Sequence, residues 1–119
     1  MILFLKKLTN KFKAAFNGLL YGLRYDRSIL LQCLIGLIVI TIGFFLQLNS
    51  TEWLWLLVII VLVIATEFIN SAIEELVDMI SPNYDERAKI IKDYAACGVM
   101  IVSFGALLVA IWILTGGLR

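Results

Sequence analysis

Carboxylates interrupt a hydrophobic stretch of this sequence at Glu67, Glu74 and Asp78. On a helix that turns about 100° per residue, these acids share one arc with Asn70 and Ser71, and apolar residues cover the remaining surface. We call these five residues the polar stripe. Ionisable residues at membrane depth are costly and normally face a bundle interior, a partner or a site, so we expect function here.

The side-chain types of the polar stripe indicate its chemistry. The sequence contains no histidine, so acid–base work falls mainly to carboxylates, and Glu67 is the deepest candidate for a proton acceptor. Glu74 and Asp78 offer the hard oxygen ligands that Mg²⁺ prefers, and Mg²⁺ generally arrives with phosphates attached. A stripe that only holds helices together is the simpler alternative, and it accounts best for Asp78.

Charged residues elsewhere complete a candidate site. Asp26 heads the first hydrophobic span and can share a metal with Glu74. Lys92 and Asp93 stand at the start of the third span, where a lysine can neutralise a phosphate or pair with the acids of the polar stripe. Phosphoryl transfer needs a base for the attacking hydroxyl, a metal that bridges phosphates and cations that absorb charge. The acceptor hydroxyl would lie at membrane depth, and a lipid alcohol meets that condition.

The composition indicates an integral membrane protein. The chain has 119 residues, 62% of them hydrophobic, and its mean hydropathy is +1.00. Residues 28–51 and 94–118 carry no charge, and both runs exceed the roughly 20 residues that span a bilayer. The uncharged run 53–66 is shorter, so the second span must carry Glu67 into the membrane. A net charge of +1 without a basic stripe argues against nucleic-acid binding.

Basic residues set the expected orientation, because they favour the cytoplasmic side of a membrane. They precede the first span and fill the connection between the second and third, whereas 47–52 contains none and the tail has only Arg119. We therefore expect the N-terminus and the connection over 80–93 to be cytoplasmic.

The pattern of apolar residues predicts the elements that position the site. Residues 1–27 alternate apolar and basic side chains at helical spacing, which predicts an amphipathic surface helix. The helices that contain the spans are expected over 29–48, 53–79 and 86–115, all within a single domain, 1–119. In the short turn before the second span, Ser50 or Thr51 is the expected N-cap. One copy alone would expose the polar stripe to lipid, which favours homo-oligomerisation.

The combined pattern resembles a known family. The small bacterial integral-membrane diacylglycerol kinases and undecaprenol kinases have a signature similar to Glu67-x-x-Asn70-Ser71-Ala72-Ile73-Glu74-x-x-Val77-Asp78, followed by Lys92-Asp93 and Ala95-Ala96. The resemblance implies an all-α membrane protein, with an N-terminal amphipathic surface helix and three transmembrane helices. It also implies a homotrimer in the bacterial inner membrane, with its active site facing the cytoplasm. The implied activity is Mg²⁺-dependent transfer of phosphate from ATP to undecaprenol or diacylglycerol.

This resemblance implies roles for individual residues. Glu67 corresponds to the general base on the lipid hydroxyl, with Asn70 beside it in lipid binding. Glu74 and Asp26 correspond to the acids that hold the metal bound to ATP. The residues at positions of nucleotide contact are Asn17, Asp26, Glu74, Asn83, Tyr84, Asp85, Lys92 and Asp93.

Some positions depart from the family pattern. Asp26 replaces the usual Glu, which shortens one metal ligand by a methylene group. Less polar residues than usual follow it at Ser28, Leu30 and Gln32. A catalytically inactive scaffold paralogue would fit these departures. A small oligomeric transporter that carries protons on Glu67 is a second alternative.

The lipid substrate is expected from two short segments. The loop Ser81-Pro82-x-Tyr84 and the compact segment Arg24-x-Asp26-Arg27 look more like the undecaprenol-using branch of the family. Undecaprenol is therefore slightly preferred over diacylglycerol.

Overall fold

The computed structural model describes residues 1–117, and almost all of them are helical. The helices are α1 (Ile2–Tyr25), α2 (Arg27–Phe45), α3 (Ser50–Ile80) and α4 (Glu86–Leu114). The last three are long and apolar enough to cross a membrane, which confirms the predicted all-α membrane protein with three such helices. Arg119, the basic residue of the tail, lies outside the described residues.

A single residue forms the corner between α1 and α2. Asp26 has an extended backbone (φ −111°, ψ 109°), so it ends α1 and serves as the N-cap of α2. Its Oδ1 accepts a hydrogen bond of 3.1 Å from the backbone amide of Ile29. Gly22 is buried one turn earlier, and an added Cβ there would lie 2.7 Å from Cε1 of Phe68 in α3. The corner therefore brings the end of α1 against α3 beside the polar stripe.

A tight turn joins α2 to α3. The helix α2 ends at Phe45, before the predicted residue 48, because Gln47 adopts a left-handed backbone (φ 54°). The expectation that Ser50 or Thr51 caps the next helix is wrong, since Asn49 is the N-cap. Its Oδ1 accepts a 2.9 Å bond from the amide of Glu52, whose Oε1 accepts a 3.1 Å bond from the amide of Asn49. This reciprocal capping box satisfies two amide donors at once.

One copy of the chain has a small apolar core. Within residues 1–117, the buried hydrophobic side chains are Ile29, Leu56, Val77 and Ile113. The radius of gyration is 17.7 Å, against about 13.5 Å for a compact soluble domain of this length. The helix α3 packs against α2 on one side and α4 on the other, while α1 contacts α2. Most large apolar side chains therefore remain available to lipid or to further copies.

Candidate active site

The polar stripe lies along α3 and becomes more exposed towards the end of the helix. Glu67 and Asn70 are buried, with 6% and 8% of their surface exposed. Ser71 is half-buried, and Glu74 and Asp78 are exposed. A single copy of the chain therefore already shields the first two members of the stripe, so the deepest acid has a protein environment.

Asn70 has an acceptor atom that the fold leaves unused. Its Nδ2 donates a 3.4 Å hydrogen bond to Oε1 of Glu74. Its Oδ1 is buried and has no hydrogen-bond partner among residues 1–117. A buried acceptor without a partner costs free energy, so native structures seldom keep one without a reason. The oxygen of this amide therefore remains free, among the described residues, to accept a hydrogen bond.

Asp26 approaches the polar stripe from the corner between α1 and α2. The hydrogen-bonding hydroxyl of Ser71 is the main reason that the pKa of the Asp26 carboxyl lies below its ordinary value. The backbone amide of Ile29 acts in the same direction, and burial opposes both. The charges of Asp26 and Glu74 both act on Glu67. Asp26, at the corner, and Glu74, on α3, are therefore both within electrostatic reach of Glu67.

This donor set suits a magnesium ion that arrives with its substrate. The described residues contain no group of three or more metal-ligating side chains arranged to hold an ion. Mg²⁺ is usually bound by one or two carboxylates, with phosphates and water completing its coordination. Asp26 and Glu74 match that requirement in number and in chemistry. They fit Mg²⁺ bound to a nucleotide better than a resident ion held by protein alone.

A cavity of about 250 Å³ opens where α3 ends and α4 begins. The predicted nucleotide residues that line it are Asn83, Tyr84, Asp85 and Lys92, and Asp78 and Lys89 line it as well. Asp85 also caps α4, because its Oδ1 accepts bonds of 2.8 Å and 3.3 Å from the amides of Arg87 and Ala88. The loop between the two helices is therefore anchored at the edge of the cavity.

The two basic side chains of this cavity are engaged with acids. Lys92 forms an ion pair and hydrogen bond with Asp78, which joins α4 to α3. Lys89 pairs with Asp93 over 2.8 Å within α4. The predicted nucleotide residues Lys92 and Asp93 thus have different partners from each other. The sequence allows Lys92 to pair with the acidic stripe, and the structure identifies Asp78 as the member of the stripe that it meets.

A second cavity, of about 370 Å³, lies between α1, α2 and α3. Its polar lining comes from Tyr21, Tyr25, Asp26, Ser71 and Glu75. Asn17 is exposed on α1 and lines neither this cavity nor the one at the loop. Sequence reasoning missed Ser71 as the partner of Asp26. Its place in the polar stripe was the available signal.

The family of this chain follows from a match that covers most of its length. The sequence matches the family described as prokaryotic diacylglycerol kinase over residues 13–114. The chain belongs to this family. The predicted resemblance is therefore confirmed, and with it the assignment to a family of lipid kinases.

Three relatives show the range of the prokaryotic diacylglycerol kinase family. A diacylglycerol kinase from Synechocystis sp. is 32% identical over 99 residues, which cover 82% of this chain and 57% of that protein. A diacylglycerol kinase from Haemophilus influenzae is 30% identical, over 82% of each chain. An undecaprenol kinase from Bacillus subtilis is 29% identical, over 82% of this chain and 79% of its own. The chain thus spans little more than half of the Synechocystis protein and about four fifths of the other two.

Proposed function

We propose that this protein transfers the γ-phosphate of ATP, with Mg²⁺, to the hydroxyl group of a membrane lipid at the cytoplasmic interface. The observation that carries the proposal is the unpartnered Oδ1 of Asn70 beside the buried carboxylate of Glu67. Asp26 and Glu74 are near enough to act on Glu67. An acceptor group, a base and one metal-compatible acid on α3 therefore lie near a second such acid at the corner between α1 and α2.

The proposed reaction uses these residues in order. Asn70 Oδ1 accepts a hydrogen bond from the lipid hydroxyl as the lipid approaches; the hydroxyl hydrogen then turns to the Glu67 carboxylate, which takes the proton as the oxygen attacks the γ-phosphorus. The bond from γ-phosphorus to the bridging oxygen breaks and ADP leaves. Mg²⁺, held by Asp26 and Glu74, would supply positive charge across the β- and γ-phosphates. Lys92 neutralises further phosphate charge from α4.

The nucleotide is proposed to enter from the cavity at the loop. Asn83, Tyr84 and Asp85 line that cavity together with Lys92. A tyrosine and short polar side chains suit a nucleoside, and a lysine suits its phosphates. Asp93 is proposed as a further contact, and Asn17 would approach from α1.

Undecaprenol is proposed as the preferred lipid. The preference rests on the loop over 81–84 and the segment over 24–27, and one relative is named an undecaprenol kinase. Two others are named diacylglycerol kinases, so both lipids belong in the test.

The deciding experiment measures transfer of radiolabelled γ-phosphate from ATP to each lipid alcohol by purified protein with Mg²⁺. The wild type is expected to label lipid, and Glu67→Gln and Glu74→Gln are expected to lose labelling. Glu86→Gln is the matched control, because it removes an exposed charge outside the site. A wild type that labels neither lipid would favour the transporter or the scaffold. Full activity in both site variants would contradict the assigned residues.

We also propose that the protein works as a homotrimer with sites formed between copies. The small core of one copy supports this proposal, as does an apolar groove of about 380 Å³ between α2, α3 and α4. Native mass measurement in detergent tests the number of copies. Mixing Glu67→Gln with Lys92→Met tests shared sites if neither variant is active alone, because activity would return only if one site takes these two residues from different copies.

The proposed location is the bacterial inner membrane, with the N-terminus and the loop over 81–85 in the cytoplasm. The support is the lysine cluster that precedes α2, together with the basic residues that begin α4. Labelling of Ser50→Cys and Glu86→Cys in intact cells with an impermeant maleimide, in a background without Cys33 and Cys97, tests this orientation. Only the cysteine at residue 50 is expected to react.

A further inference from the structure

The ion pair between Asp78 and Lys92 is the charged side-chain contact between α3 and α4 that the described residues show. The carboxylate belongs to the last member of the polar stripe, and the ammonium to a residue proposed to neutralise phosphate. Both side chains line the cavity of about 250 Å³ at the loop. The pair therefore lies inside the proposed nucleotide site.

Lys92 has a second acid within electrostatic reach. Glu74 lies one helical turn before Asp78 on the same face of α3, and its charge also acts on Lys92. A lysine carries its ammonium on four flexible carbons, so the two acids compete for one cation. The structure shows Lys92 paired with Asp78, while Glu74 accepts its hydrogen bond from Asn70.

A contact between Lys92 and Glu74 would harm the proposed reaction in two ways. It would cover carboxylate oxygens that are proposed to hold Mg²⁺. It would also draw the ammonium away from the cavity where the phosphates are proposed to bind. Some feature of the protein has to keep the two groups apart.

We propose that Asp78 is a positioning residue, which holds Lys92 away from Glu74. Lys92 then stays available to phosphate, and Glu74 stays available to Mg²⁺. The inference rests on the proposed function. Asp78 is not proposed to contact the reacting atoms. It acts through Lys92.

The exposure of the pair explains how it can give way to substrate. The side chains of Lys92 and Asp78 are 37% and 58% exposed, and ion pairs between exposed side chains are weak. A triphosphate carries more negative charge than one carboxylate, so it can take over the ammonium as it enters. The pair holds Lys92 in the cavity when the nucleotide is absent and releases it at little cost.

The test measures binding of a fluorescent ATP analogue to the full-length protein as Mg²⁺ is titrated, without turnover. Asp78→Asn is expected to raise the Mg²⁺ concentration for half-maximal binding by about threefold to fivefold, the size of one exposed charge-pair interaction. Asp78→Glu keeps the charge and should restore a value within about twofold of wild type. Glu86→Gln removes an exposed acid outside the cavity and should leave binding unchanged.

A second background separates positioning from general damage. Lys92→Met removes the ammonium that could contact Glu74, so adding Asp78→Asn should produce no further rise in the Mg²⁺ requirement. An equal rise in both backgrounds would overturn the proposal, because the effect would then not run through Lys92. So would an unchanged Mg²⁺ requirement in Asp78→Asn. If Lys92→Met binds too weakly to titrate, Lys92→Gln replaces it, and adding Asp78→Asn should again produce no further rise in the Mg²⁺ requirement.

Failure of the inference is distinguishable from failure of the proposed function. A wild type that binds the analogue with Mg²⁺ but phosphorylates no lipid would remove the proposed function. If the wild type binds the analogue and phosphorylates lipid, and Asp78→Asn has the same Mg²⁺ requirement as the wild type, only the role of Asp78 is contradicted. Thermal unfolding of each variant in detergent shows whether the fold is intact.

Discussion

The start and the middle of α3 both bury an acid, but they use it differently. At the start of the helix, Glu52 is fully buried and completes the capping box with Asn49. Its Oε2 also lies against Gly117, where an added Cβ would approach to 2.7 Å. Further along, Glu67 is buried beside an Asn70 acceptor without a partner in residues 1–117. Burial of an acid therefore does not by itself mark a site, and the surrounding hydrogen bonds distinguish the two cases.

The packing around each acid shows the same contrast. Near Glu52, Trp53 stacks at a tilt on Phe44 with ring centroids 4.9 Å apart, and its ring fills the space above Gly43. The polar stripe instead lies between two open cavities of about 250 Å³ and 370 Å³. The start of α3 is built to close a turn, and the polar stripe is built to leave space.

The largest expected effect separates the two buried acids directly. Glu67→Gln should lower lipid phosphorylation by about 10²-fold to 10⁴-fold, because the hydroxyl loses its base. Glu52→Gln should keep nearly full activity, since glutamine can make the same capping bond to the backbone. The measurement is phosphate transfer at saturating ATP and lipid. Equal losses in the two variants would erase the distinction between the acids.

Gly117 offers the next largest effect, on stability alone. Its φ of 52° is left-handed, and a Cβ would lie 2.7 Å from Oε2 of Glu52. Gly117→Ala should therefore reduce the free energy of unfolding by about 1–3 kcal/mol, with activity retained once the protein is folded. Gly98→Ala is the control, because no atom of the described residues stands within 4 Å of the added Cβ. Denaturation in detergent measures the free energy of unfolding of both variants. If that of Gly117→Ala equals the wild-type value, the packing of Gly117 against Glu52 is loose.

A smaller effect is expected where α1 meets α3. Gly22→Ala would push on Phe68, whose neighbour Glu67 is the proposed base, so stability should fall by about 1 kcal/mol and activity should fall with it. Gly18→Ala, one turn earlier, meets open space among the described residues, so activity should be unchanged and stability should rise by up to about 1 kcal/mol through helix propensity. Parallel unfolding and phosphorylation measurements test the pair. A loss of stability with full activity would mean that Phe68 moves without disturbing the base.

The smallest effect is a pH dependence at the corner. The pKa of Asp26 is lowered in the folded protein, chiefly by Ser71, so its ionised form stabilises the fold. That contribution is fully present above the ordinary pKa of 3.8 and is lost as the pH falls through the folded value. The advantage of wild type over Asp26→Asn should therefore be constant near neutral pH and shrink in acid. Unfolding in detergent from roughly pH 2.5 to 7 measures it. An advantage that grows in acid would contradict the sign, and Ser71→Ala should reduce it throughout.

Much of the fold could be predicted because it depends on local pattern. The charge-free runs predict the spans around α2 and α4, and the shortness of the run at 53–66 places Glu67 within α3. The cap of α3 was misassigned because Ser50 and Thr51 are good capping residues in isolation. The sequence also places Glu52 three residues after Asn49, but only the geometry of the turn shows that its carboxylate returns the bond to the amide of Asn49.

The side-chain partners within the candidate site were harder to predict. A helical wheel places Ser71 and Asp78 on the same face as Glu67 and Glu74. It cannot give the rotation of α3 against α2 and α4, and that rotation decides that Ser71 meets Asp26 and that Asp78 meets Lys92. Contacts across helices depend on packing, which one helix does not encode.

Asp26 is the only residue between α1 and α2, so the connection between these helices has no spare length. Asp26 both ends α1 and caps α2, so the rotation of α1 about its axis is fixed relative to α2. A single extra residue between Tyr25 and Asp26 would rotate α1 by about 100°. That turn would carry Gly22 away from Phe68 and present a side chain in its place. We therefore expect insertions and deletions between α1 and α2 to disrupt the packing of α1 against α3, whereas substitutions preserve the relative rotation of the two helices.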